Sequence, residues 1–459
     1  MTRRRLATLA VATLCLAVFA GRAAAHGGSL GATSRESLAI PTWLFLFTGG
    51  GAVGASFLLA SFVTDRSLIA RIHDWHRPLS LPGTDVVAAV VRALGVAALL
   101  AVLVVGFVGP AEPLANFAIL LTWVGWWAGL TMVTYLLGNV WPVLNPVRTL
   151  AELLPTWGGL SLARAGAWPS VVGLLALVWL EVVSPVAQDP AFLAAVVGGY
   201  TLLTLAGAVA VGTDTWFRRV DPVARVFRYY GRVAVFTRRA GQFRFRLPGV
   251  ALSEERLVDG LDEVAFVVAL LWVTTYDGFV STPLWADIAG AAVGAGVPPA
   301  LVYPVALVLG FLVFYGAYRL AARLARRTGD TYRSEASLAR AFAPSLLAIA
   351  AGYHLAHYLG YFLSLAPSLV SAATRPLTAP ASVPILALPG WFGGVELAAV
   401  LLGHLLAIWV AHARAYELFP GRLQAIRSQY PFIIVMVLYT MTSLWIVSQP
   451  ESVPPYLGL

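Results

Sequence analysis

Ten apolar runs leave few folds open to this chain of 459 residues. They cover 40–63, 86–109, 117–140, 168–187, 191–212, 264–282, 300–320, 342–365, 394–410 and 432–447. Each is close to the ~20 residues that cross roughly 30 Å of hydrocarbon. Lipid offers backbone N–H and C=O groups no partner, so a segment of this kind crosses as a helix. The expected fold is all-α, a polytopic transmembrane helix bundle of about ten spanning helices. Composition agrees: 59% of residues are hydrophobic, 12% are charged, and the mean hydropathy of +0.79 lies far from a soluble globular protein.

The first 25 residues read as an export signal. Arg3, Arg4 and Arg5 precede an apolar core from Leu6 to Ala20, and Ala23-Ala24-Ala25 supplies a small-residue cleavage site. Cleavage after Ala25 leaves His26 at the new N-terminus and removes Cys15, the one cysteine of the sequence. Residues 26–459 then form a single transmembrane domain, because no stretch between the runs is long enough to fold alone.

Charge placement sets the orientation. All 31 basic residues are arginine, and with the mature N-terminus outside, 24 of them fall in inner loops. The outer loops hold Arg35 and Arg375. This asymmetry is the positive-inside pattern of a plasma-membrane protein with an extracytoplasmic N-terminus. It also turns the net charge of +9 toward anionic lipid at the inner loops and away from nucleic acid. The densest cluster, Arg225, Arg228 and Arg232 with aromatics between them, has the spacing of a helix lying on a lipid surface. Gly49-Gly50-Gly51 with Gly54 marks a face where a second helix packs closely. The outer segment 366–393 carries five prolines and reads as an extended lid.

Ionisable residues inside the runs are the candidate site, since each costs roughly 2.5–3.5 kcal/mol on insertion and normally faces a cavity or a partner. His354 and His357 project from nearly one helix face. Glu181, Asp277, His354 and His404 lie about 17–21 Å along their helices by the 1.5 Å rise, which places four groups at one depth. Tyr276, Tyr353, Tyr358, Tyr361, Thr274, Thr275 and Thr440 are hydrogen-bonding groups close to that depth. His412 and Glu396 fall near the two interfaces and read as a headgroup contact and a helix-dipole partner.

Three readings compete. Imidazoles of His357, His404 and His354 with Asp277 and Glu181 suit a divalent transition metal, copper or zinc, that activates water; Asp277 serves as ligand or base and Glu181 orients a ligand. His26, as an N-terminal residue, adds an amine and an imidazole that copper favours. The same groups suit a proton relay or ion path in a transporter with a small-molecule or ion substrate. A structural or assembly role, with polar groups bonded across helices, is the third.

The chain also resembles a family, the actinobacterial and archaeal polytopic membrane proteins labelled fenitrothion hydrolase. Matching places include Ala25-His26-Gly27, Asn145-Pro146 with Arg148, Trp179-Leu180-Glu181, Asp277-Gly278, Pro283-Leu284-Trp285, Ala356-His357-Tyr358-Leu359, Gly403-His404 and Arg427-Ser428-Gln429-Tyr430. The resemblance implies a hydrolase of the phosphotriester class. The chain departs from the pattern at His354, where the family has an apolar residue, and at Ala413, where it has an aspartate. The first departure shifts weight to His357 and His404.

Overall fold

The computed structural model describes residues 42–79, 84–157, 164–239, 242–254 and 257–450, with 452 and 454–456. The signal segment 1–25 and His26 lie outside the described residues.

Helices account for nearly all of the chain's regular structure. In order they are α1 (Thr42–Ser61), α2 (Arg66–Asp74), α3 (Thr84–Val108), α4 (Phe117–Leu136), α5 (Trp141–Leu144), α6 (Pro146–Ala151), α7 (Trp168–Val183), α8 (Pro190–Val211), α9 (Pro222–Tyr230), α10 (Leu261–Val280), α11 (Pro283–Gly294), α12 (Pro299–Thr328), α13 (Glu335–Thr374), α14 (Phe392–Leu418) and α15 (Arg422–Ser448). Among the described residues, eight helices are long and apolar enough to cross a membrane, and α1 with α2, bent by 111°, makes a ninth if the pair counts as one span. The run at 168–187 yields only the 16 residues of α7, because Ser184 turns to extended backbone ahead of Pro185.

Side-chain caps start many of these helices. Asp65, Asn116, Asp189, Asp221, Thr282 and Ser334 each accept from backbone N–H groups of the following turn. Within α4 the stretch Leu121–Leu130 is π-helical, a widened turn of the kind that gathers at functional sites.

The Arg-rich segments between the long helices hold structure that the sequence reading left as loop. Three short antiparallel strands, β1 (His76–Leu79), β2 (Phe236–Arg239) and β3 (Gln242–Arg246), form a sheet in the order β1-β3-β2. The alternation Gln242-Phe243-Arg244-Phe245-Arg246 has the period of two that a strand requires. The arginine cluster on α9 is helical as expected, yet Arg225 does not reach lipid. It is 2% exposed and pairs with Glu263 at 2.9 Å, while Phe227, Tyr229 and Tyr230 of the same helix are buried. Packing of that aromatic face against the bundle outweighs the amphipathic pattern.

The bundle has a central and a peripheral set. Of the apolar window of α10, 89% is buried, and 72% of that of α13, against 17% for α3, 22% for α12 and 28% for α8. The outer helices therefore face lipid with apolar side chains. Of the glycines the sequence reading placed at a packing face, Gly49 and Gly50 meet α15, a Cβ on Gly49 standing 2.0 Å from Leu444, whereas Gly51 and Gly54 face open space. Gly352 of α13 and Gly403 of α14 meet in the same way, each Cβ position under 3 Å from the opposing backbone. Over the C-terminal end of α13 the proline-rich segment folds back, with Leu386 N donating to Ser364 O at 2.9 Å and Ser368 Oγ to Pro384 O at 2.6 Å.

Candidate functional site

Asp277 sits near the C-terminal end of α10, in a helix buried continuously from Val264 to Gly278. Its Oδ2 is the meeting point of two side chains from the neighbouring α13. His357 Nε2 lies 3.3 Å away, and the Tyr358 hydroxyl donates from 3.2 Å. A carboxylate facing Nε2 favours the tautomer with the proton on that nitrogen. The lone pair is then on His357 Nδ1, which is buried and has no hydrogen-bond partner. The His357 side chain keeps 23% of its surface exposed, so this pair is reachable.

Tyr358 joins the rest of the cluster. Its ring centroid lies 4.5 Å from His354, 4.8 Å from His357, 6.1 Å from Trp127 and 6.2 Å from Tyr361. His354, Tyr358 and Tyr361 follow one another at steps of four and three, so one stripe of α13 carries all three. Glu181 of α7, 7% exposed, lies within electrostatic reach of both Tyr358 and Tyr361. Two carboxylates on separate helices thus flank one tyrosine.

His354 points to the other side of Tyr358. It is wholly buried, its Nδ1 is 3.1 Å from the Tyr135 hydroxyl, and Trp127, Tyr135 and Tyr230 surround its ring. Tyr135 and Trp127 come from α4, whose π-helical stretch carries Trp127 to this contact. Neither residue was a sequence candidate; aromatics are common in spans, and their polar tips give no signal until a partner is known.

His404 stands apart. On α14 its Nδ1 bonds the Val400 carbonyl of its own helix at 2.8 Å, and its Nε2 is buried without a partner. Among the described residues, no three His, Cys, Asp or Glu side chains come together as a metal-holding group. Four groups at one depth therefore resolve into a cluster of Asp277, Glu181 and His354 around Tyr358, joined by His357, and a separate His404. Of the other hydrogen-bonding groups, Thr274, Thr275 and Thr440 bond their own helices, and Tyr276 bonds the Tyr303 carbonyl.

His412 is not a headgroup contact. It is buried, its Nε2 lies 2.8 Å from the Val63 carbonyl, and Gln429 is its other neighbour. Val63 lies in the bend between α1 and α2, where a carbonyl has left the helix ladder and needs a partner. Arg66, just past the bend, donates to the Tyr416, Phe419 and Pro420 carbonyls at the end of α14, where a cation also meets the helix dipole. Both contacts hold the bend.

No protein-family model, curated protein or solved structure matches this chain. Its function is therefore read from the site itself.

Proposed function

We propose that this multi-pass membrane protein moves protons through the His357–Asp277–Tyr358 site and couples them to passage of a small molecule or ion. The observation that carries the reading is the convergence on Asp277 Oδ2 of one imidazole and one hydroxyl, with His357 Nδ1 left buried and unpartnered. An imidazole held by a carboxylate accepts a proton at its free nitrogen, and the carboxylate stabilises the cation that forms. Tyr358, His354 and Tyr135 continue the line of proton-bearing groups toward Tyr230. Intramembrane groups arranged in such chains are the usual material of proton relays.

The hydrolase reading rests on the resemblance, and its metal needs a ligand from outside the described residues, for which His26 is the candidate. The groups present do not complete a set of three, so no step is derived through a metal here.

The test is proton flux in proteoliposomes under an imposed potential, for the wild type, Asp277→Asn and His357→Gln. Wild-type flux lowered at least tenfold in both variants, with each still monodisperse and helical, is the expected result. Equal flux in Asp277→Asn overturns the proposal. Stoichiometric copper or zinc in the purified protein, lost in a His357→Ala, His404→Ala double variant, returns the metal reading to first place.

A further inference from the structure

A cavity of about 450 Å³ lies beside the site, between the peripheral helices α3 and α8 and the inner helices α4, α7 and α9. Its size falls within the roughly 300–1,000 Å³ of ligand pockets. The lining on α8 runs from Leu193 to Thr201, about 12 Å along that helix, and on α4 from Leu121 to Leu130. The space is therefore elongated along the bundle, with Val186 at one end and Asn145 and Asp221 toward the other.

The walls are almost wholly apolar, and their chemistry is one-sided. Glu181 and Asp221 belong to the lining, and no Arg or His does. Both Asp221 oxygens are occupied, by the Ala224 N–H at 2.7 Å and the Tyr200 hydroxyl at 3.0 Å. Trp126 and Trp141 line the cavity with their rings 5.7 Å apart, and the indole N–H of each is buried without an acceptor. Neighbouring side chains close both N–H groups off, so the surface the cavity presents is hydrocarbon. Glycines hold α3 close at both ends of this space: a Cβ on Gly95 would strike the Leu144 carbonyl at 1.9 Å, and one on Gly106 would meet Ala194 at 2.5 Å. The cavity between them is built into the packing of α3.

We infer that this cavity binds the hydrocarbon chain of an uncharged lipid, an acyl ester whose chain extends toward Val186. Two walls, α3 and α8, belong to helices whose apolar windows are only 17% and 28% buried, so the occupant comes from the bilayer. Two carboxyl groups and no basic residue exclude an anionic head, such as a free fatty acid or a phosphate monoester, from the space. The inference is independent of the proton reading, since it needs neither Asp277 nor His357.

The experiment is photolabelling of the full chain in phosphatidylcholine vesicles with a diazirine-bearing methyl palmitate, followed by peptide mapping. The matching palmitate anion and a trimethylammonium analogue of equal chain length are run beside it. The ester is expected to label residues 174–186 and 193–201 saturably, with unlabelled methyl palmitate competing and the anion labelling at least fivefold less. Leu177→Trp, which fills the space, should abolish that label, whereas Leu309→Trp on the exposed face of α12 should leave it intact. Labelling that does not saturate, or that spreads over exposed helix faces in wild type, overturns the inference without reference to any variant. Stronger labelling by the anion or by the cation overturns the assignment of an uncharged head.

Discussion

The contact between Gly352 and Gly403 allows a quantitative test of the bundle that carries the histidines. A Cβ added at 352 would stand 2.7 Å from the Ala399 carbonyl oxygen and 2.8 Å from Gly403 Cα. One added at 403 would stand 2.7 Å from the Ala348 oxygen and 2.9 Å from Gly352 Cα. Ordinary contact begins at 3.4 Å, and the obstacles are backbone atoms that cannot rotate away. Gly352→Ala must therefore push α13 and α14 apart by roughly 0.7 Å, at an overpacking cost of about 1–3 kcal/mol. Gly316→Ala in α12 is the matched control: nothing lies within 4 Å of its Cβ position, so relief of glycine's backbone freedom should stabilise by ~0.5–1 kcal/mol. The assay is reversible unfolding in mixed micelles by added dodecyl sulfate, with helicity as the signal. The two variants should move in opposite directions. If Gly352→Ala proves as stable as Gly316→Ala, the two helices do not meet at this point and the packing of α13 against α14 is wrong.

Two further outcomes follow from groups outside the spans. Asp221 is buried, and burial raises its carboxyl from the ordinary 3.8 to about 6. Between those values the folded protein holds a proton that the unfolded chain has lost, so stability falls as pH rises from about 4 to about 6, by roughly 3 kcal/mol. Asp221→Asn should gain on wild type by about that much between pH 4 and pH 7, and a difference that stays flat refutes it. Arg225 is held by Glu263 and the Arg218 carbonyl and lies over the Phe266 ring at 5.4 Å. Arg225→Ala should cost about 3 kcal/mol in the same unfolding assay, with Arg225→Met recovering part through its stem; a loss below ~1 kcal/mol would return this arginine to the lipid surface.

Span positions were legible because apolar length is a one-dimensional property. The run 86–109 became α3 (Thr84–Val108) and 264–282 became α10 (Leu261–Val280). Helix length was less so: α13 extends well past 342–365 at both ends, since a helix continues through polar residues once Ser334 has capped it. The site was half legible. A carboxylate or imidazole in an apolar run announces itself, and depth along the helix put Asp277, Glu181 and His354 together. Depth is one coordinate, however, and rotation about each helix axis is set by packing that no single segment encodes. That is why His404, at similar depth, belongs elsewhere, and why Tyr135, Trp127 and Tyr230 became visible only as neighbours of His354. Arg225 misled for a related reason: its helix is amphipathic, but the aromatic face met the bundle before lipid.

The helix bearing Asp277 also limits how protons and lipid can share this protein. Because α10 is buried on nearly every side, its carboxylate is shielded from lipid and offset by His357 and Tyr358. Glu181 links two regions, lining the proposed lipid cavity while acting on Tyr358. A hydrocarbon chain in that cavity excludes water from the Glu181 side. On the proposed relay, protons would then reach Asp277 from the side where His357 remains exposed and not through the cavity. Leu177→Trp should accordingly leave proton flux near wild type while abolishing the lipid label. Flux lost together with the label would instead make the cavity part of the proton path.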